Sequence, residues 1–251
     1  MLSFDDLVQE FQKIGLQAGD TLLIHSSYKS FGGVEGGPQT VIDALLAVLG
    51  DDGTLIMPTF NFAFTKGEPW DVRNTPSRMG IITELVRKDP RAKRVFHPIY
   101  SFAIIGKHAE FLTRERYQSS YEKNSLFGKL RELDGKIMVV GLSYNDSMTF
   151  FHHIEEMEGV DYRYMKAFTG EVTDWDGTTR IDTFTMLVRN IKKGVHTMVD
   201  PMGALMEDAG VITVQQIGAA KVSLMNANEV YAFTAREMKR EPTLLYYIKK
   251  H

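Results

Sequence analysis

The chain has 251 residues, 43% hydrophobic and 24% charged, with a net charge of −3. That length is enough for one large α/β domain with a sizeable core, and the lack of a basic excess argues against a nucleic-acid partner. There is no cysteine, which excludes disulfides, zinc–thiolate sites and an acyl-cysteine intermediate.

The elements read in chain order as follows. Ser3 starts a helix in which Phe4, Leu7, Val8 and Phe11 recur at helical spacing. This segment carries Asp5, Asp6 and Glu10 and has no basic start, so it does not read as a signal peptide. No stretch reaches the roughly 18 consecutive apolar residues of a membrane span, and the chain reads as cytoplasmic, with no membrane partner. Thr21–Ser26 (TLLIHS) is a short buried strand. A glycine-rich loop over 30–39 follows, then a helix from about Pro38, a favourable first-turn residue, and a second strand over 53–60. Further on, 76–88 reads as a helix, 100–105 as a strand, 126–133 as a helix and 136–142 as a strand. A helix runs from Asp146 or Ser147 through Glu156.

After Gly159 the pattern changes. Residues 166–172 and 180–188 read as an antiparallel pair joined through Asp176-Gly177, a turn signal. A last helix covers about 228–240, and the apolar LLYYI (244–248) reads as core or as a dimer contact. Alternating elements imply an α/β fold, and the late hairpin implies mixed strand directions. The expectation is a single domain, 1–251, with a central mixed sheet flanked by helices.

Two segments carry chemistry. Backbone NH groups of a glycine loop leading into a helix make an anion site, although the same loop reads equally as a tight turn. His25, Ser26 and Ser27 end the first strand, where α/β sheets place their ligand crevice. The second segment is SMTFFHHIEE, 147–156. On a helix, His152 shares a face with Glu155 and Glu156. A carboxylate beside an imidazole fixes its tautomer and suits it to act as general base. A metal site of His152, His153 and Glu156, hence a hydrolase, and a solvated amphipathic helix are the other readings. Adjacent helical residues point about 100° apart, which weighs against the metal set. His97, before Pro98, sits in an extended segment; His108, His196 and His251 read as surface residues.

Three ordered blocks resemble the aminoglycoside N3-acetyltransferase family. They are HSSYKSFGGVEGGPQTVIDALLAVLGDDGTLIMPTF (25–60), NTPSRMGIITELVRKDPRAKRVFHPIYSFAIIG (74–106) and T-x-x-H-x-x-E at Thr149, His152 and Glu155. The likeness covers about residues 1–240. It implies an α/β fold distinct from the commoner acetyltransferase fold, acetyl-CoA as donor, and no metal. It implies that Ser26, Ser27, Ser30, Phe31, Gly32, Gly33 and Val34 line the cofactor cleft, with Thr75, Ser77 and Ser101 touching it from the second block. His152 is carried over as base and Glu155 as the carboxylate that orients it, while the Thr149 hydroxyl or backbone NH groups would stabilise the oxyanion. His153 reads as a packing or surface residue.

The resemblance implies an amine-bearing small-molecule acceptor, an aminoglycoside; the slightly short chain and the lack of a dense acidic run around EEMEGVDYRY point instead to an amino sugar of a biosynthetic pathway, including a nucleotide-linked one. A polycationic acceptor calls for carboxylates, and Asp71, Glu156 and Asp161, with Asp146 and Glu158, are the candidates. Trp70, Phe151, Tyr162 and Tyr164 are candidates for stacking on a sugar or base. Monomer and homodimer both remain open.

Overall fold

The apolar run Thr21–Ser26 becomes the middle of a seven-stranded sheet. The structure is a computed structural model that describes residues 1–249, so His251 lies outside the described residues. In chain order the elements are α1 (Phe4–Lys13), β1 (Thr21–Ser26), α2 (Pro38–Leu49), β2 (Thr54–Pro58), β3 (Trp70–Asp71), α3 (Ile81–Lys88), β4 (Lys93–Arg94), β5 (Phe102–Gly106), α4 (Ala109–Thr113) and α5 (Leu126–Glu132). Then come β6 (Lys136–Val140), α6 (Tyr144–Ser147), α7 (Phe150–Glu158), β7 (Arg163–Thr173), β8 (Thr179–Arg189), β9 (Val195–Thr197), α8 (Asp200–Asp208), β10 (Ile212–Ile217), β11 (Ala220–Asn226), α9 (Ala227–Arg240) and β12 (Tyr246–Ile248).

The large sheet runs β10-β11-β6-β1-β2-β5-β4. Strand β1 is parallel to β2 and to β6, and the outer pairings are antiparallel. This is the expected mixed sheet with helices on both faces. Alternation along β1 serves the two faces: Leu22 and Ile24 pack with Leu7 of α1 and Leu45 of α2, and Leu23 belongs to the opposite core with Phe127 of α5, Ile154 of α7 and Val230 of α9. Because the chain leaves β1 for β2 on one side and meets β6 on the other, the carboxyl end of β1 is a topological switch point, where a crevice opens.

Strands β7 and β8 form the expected hairpin, longer than the sequence suggests. Its register pairs Arg163 with Arg189 and Thr173 with Thr179, and β3 adds in parallel to β7.

Two helix boundaries differ from the expectation. Residues 76–80 form a capping loop and α3 starts at Ile81. Glu84 reaches back to accept from Ser77 N–H, and Gly80 sits at φ +117°, outside the helical region. The single helix over 146–156 is instead two, α6 and α7, broken at Met148 (ψ 59°). Met148 and Phe150 are both buried, and positions two apart lie on different faces of one helix; the turn between them lets both enter the core. In the C-terminal LLYYI run, Leu245 is buried and β12 pairs with β9, leaving Tyr247 and Ile248 exposed. No helix among the described residues is long and apolar enough to cross a membrane.

Candidate active site

A cleft opens at the carboxyl ends of the three parallel strands. Its walls are His25 and Ser26 ending β1, Ser27 and Lys29 after it, Pro58 ending β2, Leu142 and Asp146 after β6, and Arg78–Ile82 at the start of α3. Two buried polar atoms here have no hydrogen-bond partner among the described residues: His25 Nε2 and Ser26 Oγ. Burial pushes the His25 imidazole down to about 4, so it is neutral at pH 7. Unpartnered buried polar atoms are rare in folded proteins. Together with Lys29, Arg78 and the amino-terminal end of α3, they give the cleft the donors that a long polar, phosphate-bearing ligand requires.

The second cavity, of about 400 Å³, contains His152. A row of rings lies between the two: His25, Phe60, Tyr100, Tyr121 and His152, with successive centroids 6.4, 4.5, 5.0 and 5.4 Å apart. His152 Nδ1 is 2.6 Å from Glu155 Oε2. Glu155 is fully buried; its Oε1 accepts from Tyr162 OH at 2.8 Å. Arg163 Nε lies 2.7 Å from Oε2 as an ion pair, not as an aligned hydrogen bond. Burial alone would raise the Glu155 carboxyl; His152, Arg163 and Tyr162 outweigh it and hold the group below the usual carboxylate range.

An ionised Glu155 only accepts hydrogen bonds, so His152 Nδ1 carries the proton and Nε2 keeps its lone pair. Burial lowers the imidazole below its ordinary range, the Arg163 and Arg189 charges add to this, and Glu155 opposes it. The side chain is still 18% exposed, so a ligand in the cavity can reach it. A neutral, oriented, accessible imidazole can take a proton from an amine or hydroxyl.

Pairs from the hairpin form the facing wall. Tyr164 lies opposite Val188, Lys166 opposite Met186, and Arg163 opposite Arg189. Among the described residues, no carboxylate lines this cavity.

The other residues singled out in the sequence lie as follows. Ser26 and Ser27 border the strand-end cleft; the rest of the glycine segment does not line it. Ser30 Oγ donates to Ser27 O, while Phe31 and Val34 are buried in the core. Gly32 and Gly33 have φ of +80° and +139°, and a Cβ on them would come within 3.1 Å of Ala219 and Met1 respectively. Close approach of chain to chain accounts for these glycines. Thr75 Oγ1 accepts from Asp71 N–H, and Ser77 Oγ bonds Thr83 Oγ1 at the entry to α3. Ser101 is fully buried and bonds Arg94 and Thr59. Thr149 sits just before α7, one turn from His152, and its side chain does not cap the helix.

The acidic candidates do not converge on His152. Asp71 holds the 71–74 turn through Arg73 and Asn74, Glu156 accepts from Ser119, and Glu158 accepts from Tyr231. Asp161 borders a separate cavity, and Asp146 borders the strand-end cleft. Of the aromatic candidates, Trp70 and Phe151 are core residues. Tyr162 bonds Glu155 and stacks on Tyr246, so only Tyr164 faces the His152 cavity.

His153 is buried, with Nδ1 2.7 Å from Tyr121 O. His152, His153 and Glu156 do not gather into a metal-binding group, and no cluster of three or more such side chains occurs among the described residues. His97 is also fully buried; its Nδ1 accepts from the N–H groups of Ile99 and Tyr100, which makes it a loop-shaping residue. His108 is half-buried before α4, and half-buried His196 stacks on Tyr247. The sequence reading missed Arg163, Lys166 and Arg189. The alternation of Tyr162-Arg163-Tyr164 at the start of a strand was the available signal.

Residues 23–239 match the family model described as aminoglycoside 3-N-acetyltransferase. The chain is 33% identical to the SPbeta prophage-derived aminoglycoside N(3')-acetyltransferase-like protein YokD of Bacillus subtilis (strain 168), over 59% of this chain and 63% of that protein. It is 27% identical to aminoglycoside N(3)-acetyltransferase VIII of Streptomyces fradiae, over 90% of this chain and 88% of that protein. The solved structure of AAC-IIIb, binary with CoASH, superimposes with a TM-score of 0.85 over 95% of this chain and 96% of that chain, at 21% identity, a likeness of fold.

Proposed function

The chain belongs to the aminoglycoside 3-N-acetyltransferase family, a family of acyltransferases, and from that premise we propose that it transfers the acetyl group of acetyl-CoA directly to an amine of an aminoglycoside or related amino sugar, with His152 as general base. The observation that carries this reading is the hydrogen bond of His152 Nδ1 to buried, ionised Glu155 at the edge of a ligand-sized cavity. The donor side rests on the strand-end cleft. There Ser26, Ser27 and His25 would meet the pantetheine arm, and Lys29, Arg78 and the start of α3 the phosphates. The relative binary with CoASH supports that donor.

When bound, acetyl-CoA supplies an activated thioester carbonyl. His152 Nε2 takes a proton from the attacking amine, and Glu155 stabilises the imidazolium that results. The amine nitrogen bonds to the acetyl carbon, the carbon–sulfur bond breaks, and the proton held by His152 passes to the departing sulfur. The Thr149 hydroxyl, one turn before His152, would be the donor to the oxyanion. Arg163 keeps Glu155 ionised and Tyr162 fixes its other oxygen.

The test is release of CoA thiol over a panel of aminoglycosides and amino sugars, run beside H152A. The base should contribute about 10²–10⁴-fold, so H152A turnover should fall by that factor while acetyl-CoA affinity stays within about twofold. Near-native turnover in H152A would defeat the assignment.

A further inference from the structure

We propose that His153 is a positioning residue for the transfer: its bond to the Tyr121 carbonyl holds the Tyr121 ring against His152, fixing the tilt of the base and shielding it from water. The proposal rests on the acetyl-transfer reading for the role of His152.

The two histidines are successive on α7, so they point about 100° apart. His152 enters the cavity, and His153 turns into the core, where its ring lies against those of Phe150 and Tyr231. His153 Nδ1 is 2.7 Å from Tyr121 O. A carbonyl oxygen only accepts, so Nδ1 carries the proton and donates it. Among the described residues no other donor reaches this carbonyl.

Tyr121 belongs to the segment that joins α4 to α5 and contains no helix or strand of its own. Neighbouring elements hold it in place. Ser120 N–H donates to Thr185 O of β8 at 3.0 Å, Ser119 Oγ donates to Glu156 of α7 at 2.8 Å, and His153 holds Tyr121 itself. His153 and Glu156 are three apart and share a face of α7, as His152 and Glu155 do one step earlier. One short helix therefore presents the base with its carboxylate on one face and the anchors of the 119–121 segment on the next.

The anchored ring bears on the base. Tyr121 is buried, and its ring centroid lies 5.4 Å from that of His152, at 63°. Tyr100 braces it from behind at 5.0 Å. The bond to Glu155 fixes one atom of the His152 imidazole, Nδ1. One hydrogen bond leaves the ring some freedom to tilt, and the direction of the Nε2 lone pair tilts with it. The edge-on contact with Tyr121 removes that freedom. It also covers part of the imidazole, and burial is the largest cause of the lowered His152 pKa.

The experiment compares H153N with H153L and H153Q. Asn carries an N–H donor one bond beyond Cγ, as His does at Nδ1; Leu has none, and Gln carries its amide one bond further out. H153N should keep kcat within about threefold of wild type, whereas H153L and H153Q should lose about 10- to 10²-fold, the scale of a slightly misplaced reacting group. The KM for acetyl-CoA should stay within about twofold. A merely structural role would lower Tm and leave the base unchanged, so His152 is also read directly, by NMR titration of its imidazole in the resting protein. The charged groups facing it are Glu155 on its own helix, Arg163 and Lys166 on β7 and Arg189 on β8, and the substitutions leave all four in place. With the Tyr121 ring released, water reaches His152, and its midpoint should rise toward 6.5 in H153L and H153Q and stay at the wild-type position in H153N. In a Y121L background H153L should move neither kcat nor midpoint further, because the ring through which His153 acts is gone. If H153L does not fold, H153N and H153Q carry the same comparison. Wild-type kcat and midpoint in H153L and H153Q, an H153N as impaired as they are, or full additivity with Y121L would overturn the proposal. If the His152 midpoint moves as expected but the wild type releases CoA thiol with no acceptor, acetyl transfer fails and the positioning stands. If transfer is lost in H152A but untouched in H153L, the positioning fails and acetyl transfer stands.

Discussion

Glu155 Oε2 sits between two cationic or potentially cationic partners, His152 Nδ1 at 2.6 Å and Arg163 Nε at 2.7 Å. One buried carboxylate therefore orients the base and neutralises a buried guanidinium. E155Q removes the charge from both. Turnover should fall on the order of 10²-fold or more, because the amide no longer enforces the Nδ1–H tautomer. The fold should weaken too, since an unpaired buried charge costs about 3–5 kcal/mol. Thermal melts and CoA-release kinetics on the same variant check both outcomes. A large Tm loss with unchanged kcat would leave Glu155 a purely structural residue.

The pH dependence of rate follows from the environment of His152. Burial, then Arg163, lowers its pKa from the ordinary 6.5, against the opposing pull of Glu155. A general base works in its neutral form, so kcat/KM should be flat near pH 7 and fall only on the acid side, with a midpoint below 6.5. E155Q removes the one group that raises this pKa, and its acid limb should move to still lower pH. Rate profiles between pH 5 and 8 measure both; a midpoint above 6.5 in the wild type would contradict this electrostatic account.

Much of this was legible in the chain, for local reasons. The run Leu22-Leu23-Ile24 announces a strand buried on both faces, and Ser26-Ser27 fall at its carboxyl end, where the cleft opens. The spacing of His152 and Glu155 is a helical face, and they do meet. In the glycine segment, glycine signals only a close approach. What approaches Gly32 and Gly33 is Ala219 and Met1, from the far parts of the chain. Of the cationic residues of the His152 cavity, only the alternation Tyr162-Arg163-Tyr164 left a trace in the sequence. That Arg163, Lys166 and Arg189 border the same cavity as His152 is a tertiary fact that no local spacing encodes.

Arg94 offers a test of how the second sequence block works. It is buried, has no carboxylate partner among the described residues, and burial pushes its guanidinium down to about 9. It donates to Thr59 O, Val72 O, Thr75 O and Ser101 Oγ, and lies over the Trp70 ring. Its role is to tie the 71–75 turn to β2 and β5. R94M leaves several buried carbonyls unsatisfied at about 1–3 kcal/mol each, so a net loss of roughly 3 kcal/mol and a Tm drop of about 6–12 °C are expected. R94K should recover only part of this, because an ammonium cannot reproduce the planar fork. Full recovery in R94K would show that charge alone suffices.

Acid should destabilise the fold before the carboxylates begin to protonate. His25 and His153 are held down to about 4 and His97 to about 3, in each case first by burial. Unfolded, each would titrate near 6.5. Between those values the unfolded chain binds protons that the folded chain does not, so stability rises with pH across the window and falls as pH is lowered through 6.5. From pH 7 to pH 5.5 each buried histidine should remove about 1 kcal/mol, roughly 3 kcal/mol for the three together. His152, also lowered, acts in the same direction. Denaturant melts at fixed ionic strength, at pH 7.0, 6.2 and 5.5, measure the slope. A stability that stays level over this range would mean that these histidines take up protons within the folded protein, and the buried, neutral state assigned to them would be wrong.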